Sequence, residues 1–527
     1  MRRPVVVLLA ALLVGSLSLP AVAHSPPADD GYEPRDDIQL TYELRPTVET
    51  GTVRVTVTAR LPSHVERFEF GPPPDAEVQV LEGFVRDGEE LPYAWKGEVD
   101  RPSMTYERVV NETGVPSRVA AGAGWAILTR ADVGGRAYWR YYGEAPTLHE
   151  TVVAPPDESA FVGDTLVVTG PHEIANATRN GERFRLVVPQ AAALAADRDA
   201  ISESLEFASG ELDVGHRHDE TVGVVQPGEL RRGGFVADGG WPEFAVHEDQ
   251  RARGVANAWI HEYVHTRQNF STTDRLAWIV EASAEYEAGL LTLQHGNASW
   301  SGFVDLATET EYADADLRAP ESRGTLADYE KGAAVVAAID WHVRNATDGE
   351  RSIETVLGRM NEREAELAPE DFKAIVADVA GEPIDAQIDR MVTGRFEPTP
   401  PDDPFVYTTG PDADNDRDGL TTAAEREAGT HPFLADTDRD GRTDGDEVAA
   451  GTDPTVPTTP ETATSTPSER TGDADPSADA GTPTRTTTAA DRTETAGGDG
   501  ALPLGTLLAV TLLAGASLRL AGRCHSS

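Results

Sequence analysis

The sequence predicts a multidomain protein of the α+β class, with a β-rich region first, a mainly helical region second and a low-complexity part near the C-terminus. Between about 36 and 190 the apolar residues alternate with polar ones, as expected for strands with one buried face. Between 255 and 290 they recur at helical spacing, and after 410 the composition changes to acidic repeats followed by a Thr- and Pro-rich stretch. The length of 527 residues suggests about three to four structural units.

The composition is strongly acidic. The chain has 90 Asp and Glu against 45 Lys and Arg, which is a formal net charge of −45. Such a chain repels a phosphate backbone, so we exclude nucleic acid as a partner. Because the acidic residues are spread along the sequence, we interpret them as a surface adapted to high salt and expect a halophilic source. The single cysteine, Cys524, allows no intrachain disulfide, so a metal site would have to use His, Asp or Glu.

Residues 1–23 have the pattern of a signal peptide. Arg2 and Arg3 precede a short apolar run, and Ala-Val-Ala at 21–23 fits a signal-peptidase site. The alternative is a retained N-terminal anchor, against which the shortness of the apolar run counts. We therefore expect the rest of the chain to be exported.

The C-terminal end has the pattern of a membrane tether. Residues 454–500 lack the large apolar residues that form a core and are expected to form a disordered stalk. The uncharged apolar run 501–518 is long enough to cross a bilayer, and Arg519 and Arg523 place the tail 519–527 in the cytosol. A sorting signal that is cleaved and exchanged for a lipid is the alternative. Either way, we expect a cell-surface protein attached to the membrane by its C-terminus and able to contact the cell envelope.

The region 24–190 is predicted to be a β-sandwich-like N-terminal domain. Turn residues at 71–74 and 86–88 separate its alternating runs. The predicted strands are 38–44, 53–57, 78–80, 126–128, 138–142, 166–168 and 184–188. The region has no cluster of reactive side chains, so we expect it to serve packing or substrate positioning. Acceptor sequences that would make the chain a glycoprotein occur at Asn111, Asn176, Asn269, Asn297 and Asn345.

The segment 261–265, His-Glu-Tyr-Val-His, is the first that indicates chemistry. The apolar residues around it recur at i, i+4 and i+8, which predicts a helix with one buried stripe. His261 and His265 are one turn apart and project from the same side of that helix. Two neutral imidazoles at this spacing can share one Zn²⁺, with Glu262 beside them as a candidate base.

A third zinc ligand is expected at Glu281, which follows His265 after fifteen residues. Apolar residues before and after Glu281 give this stretch helical character. A loop around 268–274 would return the second helix against the first. His261, His265 and Glu281 would then form a three-ligand site with one open position, as zinc catalysis requires.

These motifs resemble those of the gluzincin metallopeptidases, particularly the M1 and M61 aminopeptidase-like branch. In that branch HExxH is followed by a helix that begins near Glu-Gly-Phe-x-x-Tyr, and Glu281 and Tyr286 match its glutamate and its tyrosine. The segment 329–333, Tyr-Glu-Lys-Gly-Ala, resembles the Tyr-x-Lys-Gly-Ala segment of M1-type enzymes. The resemblance covers about residues 190–398, and its specific part lies in 261–333.

The resemblance implies a thermolysin-like, mainly α-helical zincin domain over residues 191–398. It implies a hydrolase that cleaves peptide or protein substrates with zinc-activated water. Glu262 would act as the general base and later deliver the proton to the leaving amine. Tyr329 would donate a hydrogen bond to the oxyanion. The implied zinc ligands are His261, His265 and Glu281.

The sequence also departs from the M1 pattern. The spacing before Glu281 is shorter than usual, and Ala-Ser at 282–283 replaces Gly-Phe. The family's Gly-Ala-Met-Glu-Asn segment, whose glutamate grips a free amino group, is absent; its region reads Gly-Gly-Trp-Pro-Glu-Phe at 239–244, where Glu243 could substitute. The choice between exopeptidase and endopeptidase therefore stays open. A non-catalytic surface binding or envelope protein with a degenerate gluzincin domain is the alternative.

Other titratable residues near these motifs have less specific readings. Glu285, one turn after Glu281, is either an orienting partner of a ligand histidine or a solvated helix residue. The remaining histidines of the region are interpreted as surface or satisfied residues, namely His216, His218, His295 and His342.

Two acidic loops repeat with a period of 22 residues within the region 410–453. Both fit D-x-D-x-D-G-x5-E, the pattern of a twelve-residue loop for a hard cation, so Ca²⁺ is the predicted ligand. The predicted ligands are Asp414, Asp416, Asp418 and Glu425 in the first loop, and Asp436, Asp438, Asp440 and Glu447 in the second. Only ten residues, 426–435, separate the loops, too few for the paired helices of an EF-hand pair. The segment resembles bacterial-type thrombospondin type 3 calcium repeats, which implies a stiff connection between the head and the stalk.

Overall fold

The computed structural model describes residues 37–48, 51–110, 119–156, 158–228, 234–236, 241–319 and 325–458. The predicted signal peptide, transmembrane segment and cytoplasmic tail lie outside these residues, as do residues 459–500 of the predicted stalk. Among the residues described, no helix combines the length and the apolar character needed to cross a membrane.

Strands occupy most of the first half of the described chain. They are β1 (Ile38–Pro46), β2 (Thr52–Arg60), β3 (Val65–Gly71), β4 (Glu77–Glu82), β5 (Phe84–Val85), β6 (Tyr93–Trp95), β7 (Ser103–Val109), β8 (Ala120–Gly122), β9 (Trp125–Thr129), β10 (Arg136–Tyr141), β11 (Leu148–Val153), β12 (Ala160–Val162), β13 (Leu166–Thr169), β14 (His172–Arg179), β15 (Glu182–Pro189), β16 (Glu220–Gln226), β17 (Gly234–Val236) and β18 (Glu243–His247). They form four sheets, in the orders β11-β1-β2-β7-β4, β10-β3-β6-β5, β12-β13-β9-β8 and β14-β15-β16-β18-β17. Each of the seven predicted strands coincides with one of these strands.

The first two sheets share one hydrophobic core. The inward residues of β1 alternate along the strand and pack with Phe68 and Phe70 of the second sheet. The strand predicted at 78–80 is present, but its apolar residues do not form a buried face. A bulge between Val78 and Val80 shifts the register with β7, and Val80 is 57% exposed.

The third sheet packs against the fourth, which is buried on both faces. Val187 of β15 faces the third sheet, whereas Phe184, Leu186 and Val188 face the helical side. Because β15 pairs in parallel with β16, the sheet that leads to the helical region begins at His172. The domain boundary predicted between residues 190 and 191 therefore falls inside the fourth sheet. Alternation of apolar residues predicts a strand, but it does not predict the strand with which it pairs.

The second half of the described chain is mainly helical, and two further helices lie among the strands of the first half. The helices are α1 (Arg130–Val133), α2 (Arg198–Glu211), α3 (Ala258–Thr266), α4 (Trp278–Gln294), α5 (Trp300–Ala307), α6 (Leu326–Ala346), α7 (Ile353–Asn361), α8 (Pro369–Ala380), α9 (Asp385–Thr393), α10 (Thr422–Ala428) and α11 (Asp444–Ala450). The two helices of the first half are α1 and α2. A 3₁₀ turn covers Pro404–Tyr407. The helices α2 and α3 lie on the fourth sheet, and α4 packs against α3 and α6.

The two acidic repeats each consist of a loop followed by one short helix, α10 or α11. Each helix begins at a threonine cap, Thr421 or Thr443, and ends at a glycine in the left-handed conformation, Gly429 or Gly451. One helix per repeat, and not two, agrees with the short separation of the loops.

Candidate metal centre and active site

Helix α3 carries the His-Glu-Tyr-Val-His segment. The side chain of Asn257 caps the helix by accepting hydrogen bonds from the amides of Trp259 and Ile260, at 3.2 and 3.4 Å. The Asn257 amide also donates to Thr292 Oγ1 at 3.2 Å, which joins the start of α3 to the last turns of α4. The apolar stripe of α3, with Trp259 and Tyr263, is buried in the main core.

Three donor atoms converge between α3 and α4. His261 Nε2 lies 3.1 Å from His265 Nε2, and Glu281 Oε2 lies 3.3 Å and 3.2 Å from these two nitrogens. Zn²⁺ in proteins binds nitrogen and oxygen ligands at about 2.0–2.2 Å in a tetrahedron, whose edges are then about 3.4 Å. The three atoms therefore have the mutual spacing of three ligands of one ion, as predicted by the spacing of His261, His265 and Glu281.

The outer nitrogens of both imidazoles face acceptors. His265 Nδ1 forms a hydrogen bond with Gln268 Oε1 at 2.8 Å, and His261 Nδ1 lies 3.0 Å from Glu285 Oε2 in a contact that is not aligned as a hydrogen bond. Protons on these two Nδ1 atoms leave the Nε2 lone pairs directed towards each other and towards the Glu281 carboxylate. Lone pairs that converge in a buried place are unfavourable unless a cation lies among them, so the donor set fits a metal ion. Glu285 is therefore a partner of the His261 imidazole and not a solvated helix residue.

Gln268 is a candidate site residue that the sequence did not reveal. Its amide nitrogen donates to the carbonyl of Val280 at 2.9 Å and to Ser283 Oγ at 3.0 Å, so its oxygen must face His265. Ser283 donates in turn to the carbonyl of Ile279 at 2.7 Å. The serine that departs from the M1 pattern thus holds the glutamine that orients His265. The available signal was one polar residue just after α3 and another within α4, but the groups that they contact depend on how α3 packs against α4.

The charges of the donor set are strongly linked. Burial opposes the ionised form of Glu281, yet the imidazoles of His265 and His261 hold its pKa well below its usual range. Burial opposes the imidazolium of His261, but Glu281 and Glu285 raise its pKa well above its usual range. The pKa of His265 is raised against burial by Glu281. The site thus stabilises positive charge at its centre, which a divalent cation would supply.

Glu262 lies beside this centre and is 5% exposed. The edge strand β17 runs over it at Gly234, where a Cβ atom would lie 2.6 Å from Glu262 Oε1. Glycine at this position is required by the close approach, because any side chain would displace the carboxylate. The candidate base is therefore enclosed between α3 and the edge of the fourth sheet.

The segment 329–333 lies at the start of α6 and approaches the same centre. The ring of Tyr329 stacks on the imidazole of His261, with centroids 5.7 Å apart and planes inclined by 17°. Lys331 is buried and donates to the carbonyls of Ala315 and Gly394, so it fastens two loops and does not face the centre. Gly332 allows α6 to contact α4, because a Cβ atom there would lie 2.7 Å from that of Ala282.

Two residues that the sequence associated with substrate or motif have structural roles. Glu243 is buried and accepts hydrogen bonds from the amides of Asp164, Thr165 and Leu166, at 2.5, 2.8 and 2.7 Å. Its carboxylate is occupied by this loop, which excludes it as a grip for an amino group. Tyr286 turns away from the donor set and donates to Asp340 Oδ2 of α6 at 2.5 Å.

The two acidic loops each bring three aspartates together. The carboxylates of Asp414, Asp416 and Asp418 form one cluster, and those of Asp436, Asp438 and Asp440 form another, with oxygens within 4.8 Å of one another. Glu425 and Glu447, the last residue of each frame, are fully buried. Both carboxylate oxygens of Glu425 are buried without a hydrogen-bond partner among the described residues.

The first loop is electrostatically unbalanced. Burial, followed by repulsion from Asp416 and Asp418, raises the pKa of Glu425 to about 8. Burial and repulsion from Asp418 raise the pKa of Asp416 to about 7. Asp444 of the second repeat adds to this repulsion. A cluster of carboxylates in this state fits a hard divalent cation.

Two solved structures are similar to this chain. An aminopeptidase N family protein from Idiomarina loihiensis matches with a TM-score of 0.51 at 12% sequence identity, over 69% of this chain and 77% of that chain. An M1 zinc metallopeptidase from Deinococcus radiodurans matches with a TM-score of 0.44 at 15% identity, over 71% of this chain and 95% of that chain. No protein-family model and no curated protein sequence matches the chain. The first likeness shows a shared fold and confirms the predicted mixed α+β architecture.

Proposed function

We propose that the chain is a zinc-dependent metallopeptidase of the gluzincin type. The observation that carries this proposal is the convergence of His261, His265 and Glu281 beside the enclosed carboxylate of Glu262. The stacking of Tyr329 on His261 supports it, because it brings a hydroxyl-bearing residue of α6 to the same centre. The shared fold with an aminopeptidase N family protein agrees with this assignment.

Each residue of the site has a separate role in peptide hydrolysis. His261, His265 and Glu281 would hold Zn²⁺, which would supply a Lewis acid for the scissile carbonyl and for a water molecule. Glu262 accepts a proton from the attacking water and delivers it to the leaving amine nitrogen as the C–N bond breaks. The Tyr329 hydroxyl donates a hydrogen bond to the carbonyl oxygen as negative charge develops there. Glu285 and Gln268 keep the two imidazoles oriented.

Replacement of the base tests the proposal. Glu262→Ala should lower kcat/KM for peptide hydrolysis by about 10²- to 10⁴-fold, because the water then lacks a proton acceptor. Zinc content, measured by elemental analysis, should stay at the wild-type level because all three ligands remain. Glu203→Ala, an exposed glutamate of α2, is the matched control and should retain full activity.

The assay uses the zinc-loaded full chain at high salt with peptides that have free or blocked N-termini. Preference for a free terminus would indicate an exopeptidase, and equal cleavage of both would indicate an endopeptidase. Full activity of Glu262→Ala would remove this residue from the mechanism. A wild-type protein that binds zinc and cleaves no peptide of a broad panel would instead favour the non-catalytic surface protein.

We also propose that the two acidic loops bind Ca²⁺. The supporting observations are the three converging aspartates of each loop and the fully buried Glu425 and Glu447 at the twelfth position. Calorimetric titration with Ca²⁺ should find two sites. Glu425→Gln should weaken one of them, because it removes a bidentate ligand and its charge.

We further propose a cell-surface location at high external salt. The support is in the sequence, namely the signal-like segment 1–23, the apolar segment 501–518 and the net charge of −45. Membrane fractionation of cells that express the full chain, followed by protease treatment of intact cells, tests this location.

A further inference from the structure

The first acidic loop caps the helix that carries the zinc ligand Glu281. Asn415 Nδ2 donates to the carbonyl of Gln294, the last residue of α4, at 2.9 Å. The guanidinium of Arg417 donates to the carbonyl of His295, which follows the helix, at 2.6 Å. The last carbonyls of a helix have no partner within it, and two of them accept hydrogen bonds here from side chains that are 121 and 122 residues away in sequence.

The contact between loop and helix is tight. Asn415 is 4% exposed, and a Cβ atom at Gly296 would lie 2.9 Å from the backbone carbonyl oxygen of Asn415. Beside it, the ring of Trp300 at the start of α5 stacks on Phe433, with centroids 5.6 Å apart and planes inclined by 4°. Phe433 is buried in the core that contains α4. The repeats are therefore part of the helical unit and do not form a separate neck.

The capping residues are interleaved with the predicted calcium ligands. Asn415 stands between Asp414 and Asp416, and Arg417 stands between Asp416 and Asp418. Arg417 has a left-handed backbone, with φ of 64°, which a non-glycine residue adopts at a cost. The loop conformation that directs the side chains of Asn415 and Arg417 towards the end of α4 thus depends on the arrangement of the neighbouring carboxylates.

The carboxylates need a cation to keep that arrangement. Glu425, at the twelfth position of the same loop, is fully buried, and neither of its carboxylate oxygens has a hydrogen-bond partner among the described residues. Without a cation, the repulsion between Glu425 and the three aspartates favours opening of the loop. Opening would withdraw Asn415 and Arg417 from the end of α4.

We infer that Ca²⁺ in the loop 414–425 holds the C-terminal end of α4 and thereby increases the affinity of the zinc site at Glu281. Glu281 and Gln294 lie on one helix about 20 Å apart, so an ordered last turn restricts the motion of the whole helix against α3. The inference rests on the proposed zinc and calcium sites. By linkage, zinc must increase the calcium affinity by the same factor.

The experiment measures zinc affinity with and without calcium. Metal-stripped full chain at high salt is titrated with Zn²⁺ at buffered free concentrations, in the presence and absence of saturating Ca²⁺. Calcium should lower the Kd for zinc about fivefold or more. Hydrogen exchange of the α4 amides, followed by mass spectrometry without zinc, should slow when Ca²⁺ is added.

A variant separates capping from calcium binding. The double variant Asn415→Ala with Arg417→Ala retains all predicted calcium ligands, so it should bind Ca²⁺ but lose the effect of Ca²⁺ on zinc affinity. Arg439→Ala is the matched control. Arg439 occupies the equivalent position of the second loop, with φ of 63°, and is exposed. The coupling should survive in this control.

Each of the other outcomes would overturn the coupling, the calcium sites or the peptidase proposal. Equal zinc affinity with and without Ca²⁺, in protein that binds two Ca²⁺, would overturn the coupling and leave the peptidase proposal intact. Failure to bind Ca²⁺ would overturn the coupling together with the calcium sites. If zinc does not bind at all, the peptidase proposal fails. If, in addition, Ca²⁺ leaves the hydrogen exchange of α4 unchanged, the inference that Ca²⁺ holds the end of α4 fails as well.

Discussion

At the scale of single residues, the tautomers of the two histidines are what make the donor set suitable for a metal. Gln268 settles the tautomer of His265 because Val280 and Ser283 occupy its amide hydrogens and leave only its oxygen for the ring. A histidine whose Nδ1 lacks such an acceptor would divide between two tautomers, and one of them cannot bind zinc through Nε2.

Removal of this acceptor should weaken zinc binding. Gln268→Ala is expected to raise the Kd for Zn²⁺ about 10- to 100-fold, because His265 loses its orientation, while the helical circular dichroism spectrum stays unchanged. Competition with a chromophoric chelator measures this Kd. Gln387→Ala, an exposed glutamine on α9, is the control and should bind zinc as the wild type does. An unchanged Kd for Gln268→Ala would show that helix packing alone orients His265.

A second residue-scale feature is a buried acidic group on the far side of α4. Glu287 is fully buried, and neither of its carboxylate oxygens has a hydrogen-bond partner among the described residues. Burial, then repulsion from Glu354 and Asp340, raises its pKa well above the usual range, and only Arg344 opposes this rise. Burial likewise raises the pKa of Glu354 to about 7. Both groups are therefore more easily protonated in the folded than in the unfolded protein.

This feature predicts a fall in stability with rising pH. The folded state holds protons that the unfolded state releases above about pH 4.5, so this stabilisation is present at low pH and is lost as the pH rises through about 7. Denaturant unfolding at saturating Zn²⁺ and Ca²⁺ should show a lower midpoint at alkaline than at weakly acidic pH. Glu287→Gln should flatten this dependence and gain about 1–3 kcal/mol at alkaline pH. Glu203→Gln should leave the profile unchanged, and an equally steep profile in Glu287→Gln would refute the assignment.

At the scale of elements, Glu281, the proposed zinc ligand, and Tyr329 lie on two helices that pack together, α4 and α6. The two helices touch at Ala282 and Gly332, and the missing side chain of Gly332 sets their distance. The glycine of the Tyr-Glu-Lys-Gly-Ala segment thus acts through helix packing, one turn from the tyrosine that stacks on His261.

Adding one methyl group at this crossing should separate the helices. Gly332→Ala is expected to destabilise the protein by about 1–3 kcal/mol and to lower kcat, since Tyr329 moves with α6. Gly358→Ala is the control, because the nearest atoms to a Cβ at this helical glycine are 3.7 Å away. That change should be neutral or stabilise by up to about 1 kcal/mol. Ala282→Gly should partly rescue Gly332→Ala, and failure to rescue would place the strain elsewhere.

At the scale of the whole molecule, the net charge of −45 sets the conditions under which the fold is stable. Carboxylates spread over the surface repel one another, and this repulsion is smaller in the expanded unfolded chain. Salt reduces the repulsion because the Debye length shortens from about 10 Å at 0.1 M to about 3 Å at 1 M.

The thermal midpoint should therefore rise with salt. Between about 0.1 M and about 1 M KCl at saturating Zn²⁺ and Ca²⁺, differential scanning fluorimetry should record an increase of several degrees. Sucrose at the same osmolality should give a smaller increase, because it does not screen charge. Equal effects of KCl and sucrose would argue against a charge-limited fold.

The sequence by itself determined the strands, the helix with the two histidines, the helix with Glu281 and the two acidic frames, because spacing along one strand or helix decides which side chains share a face. It placed His261, His265, Glu281 and Tyr329 as the structure has them. Only the tertiary structure decided that Glu243 holds a loop, that β14 and β15 belong to the sheet next to the helices, and that Gln268 orients His265. It also placed the first acidic loop on the end of α4. Each of these features joins residues from different elements. Periodicity and motif spacing do not predict which elements pack together, so they could not predict these contacts.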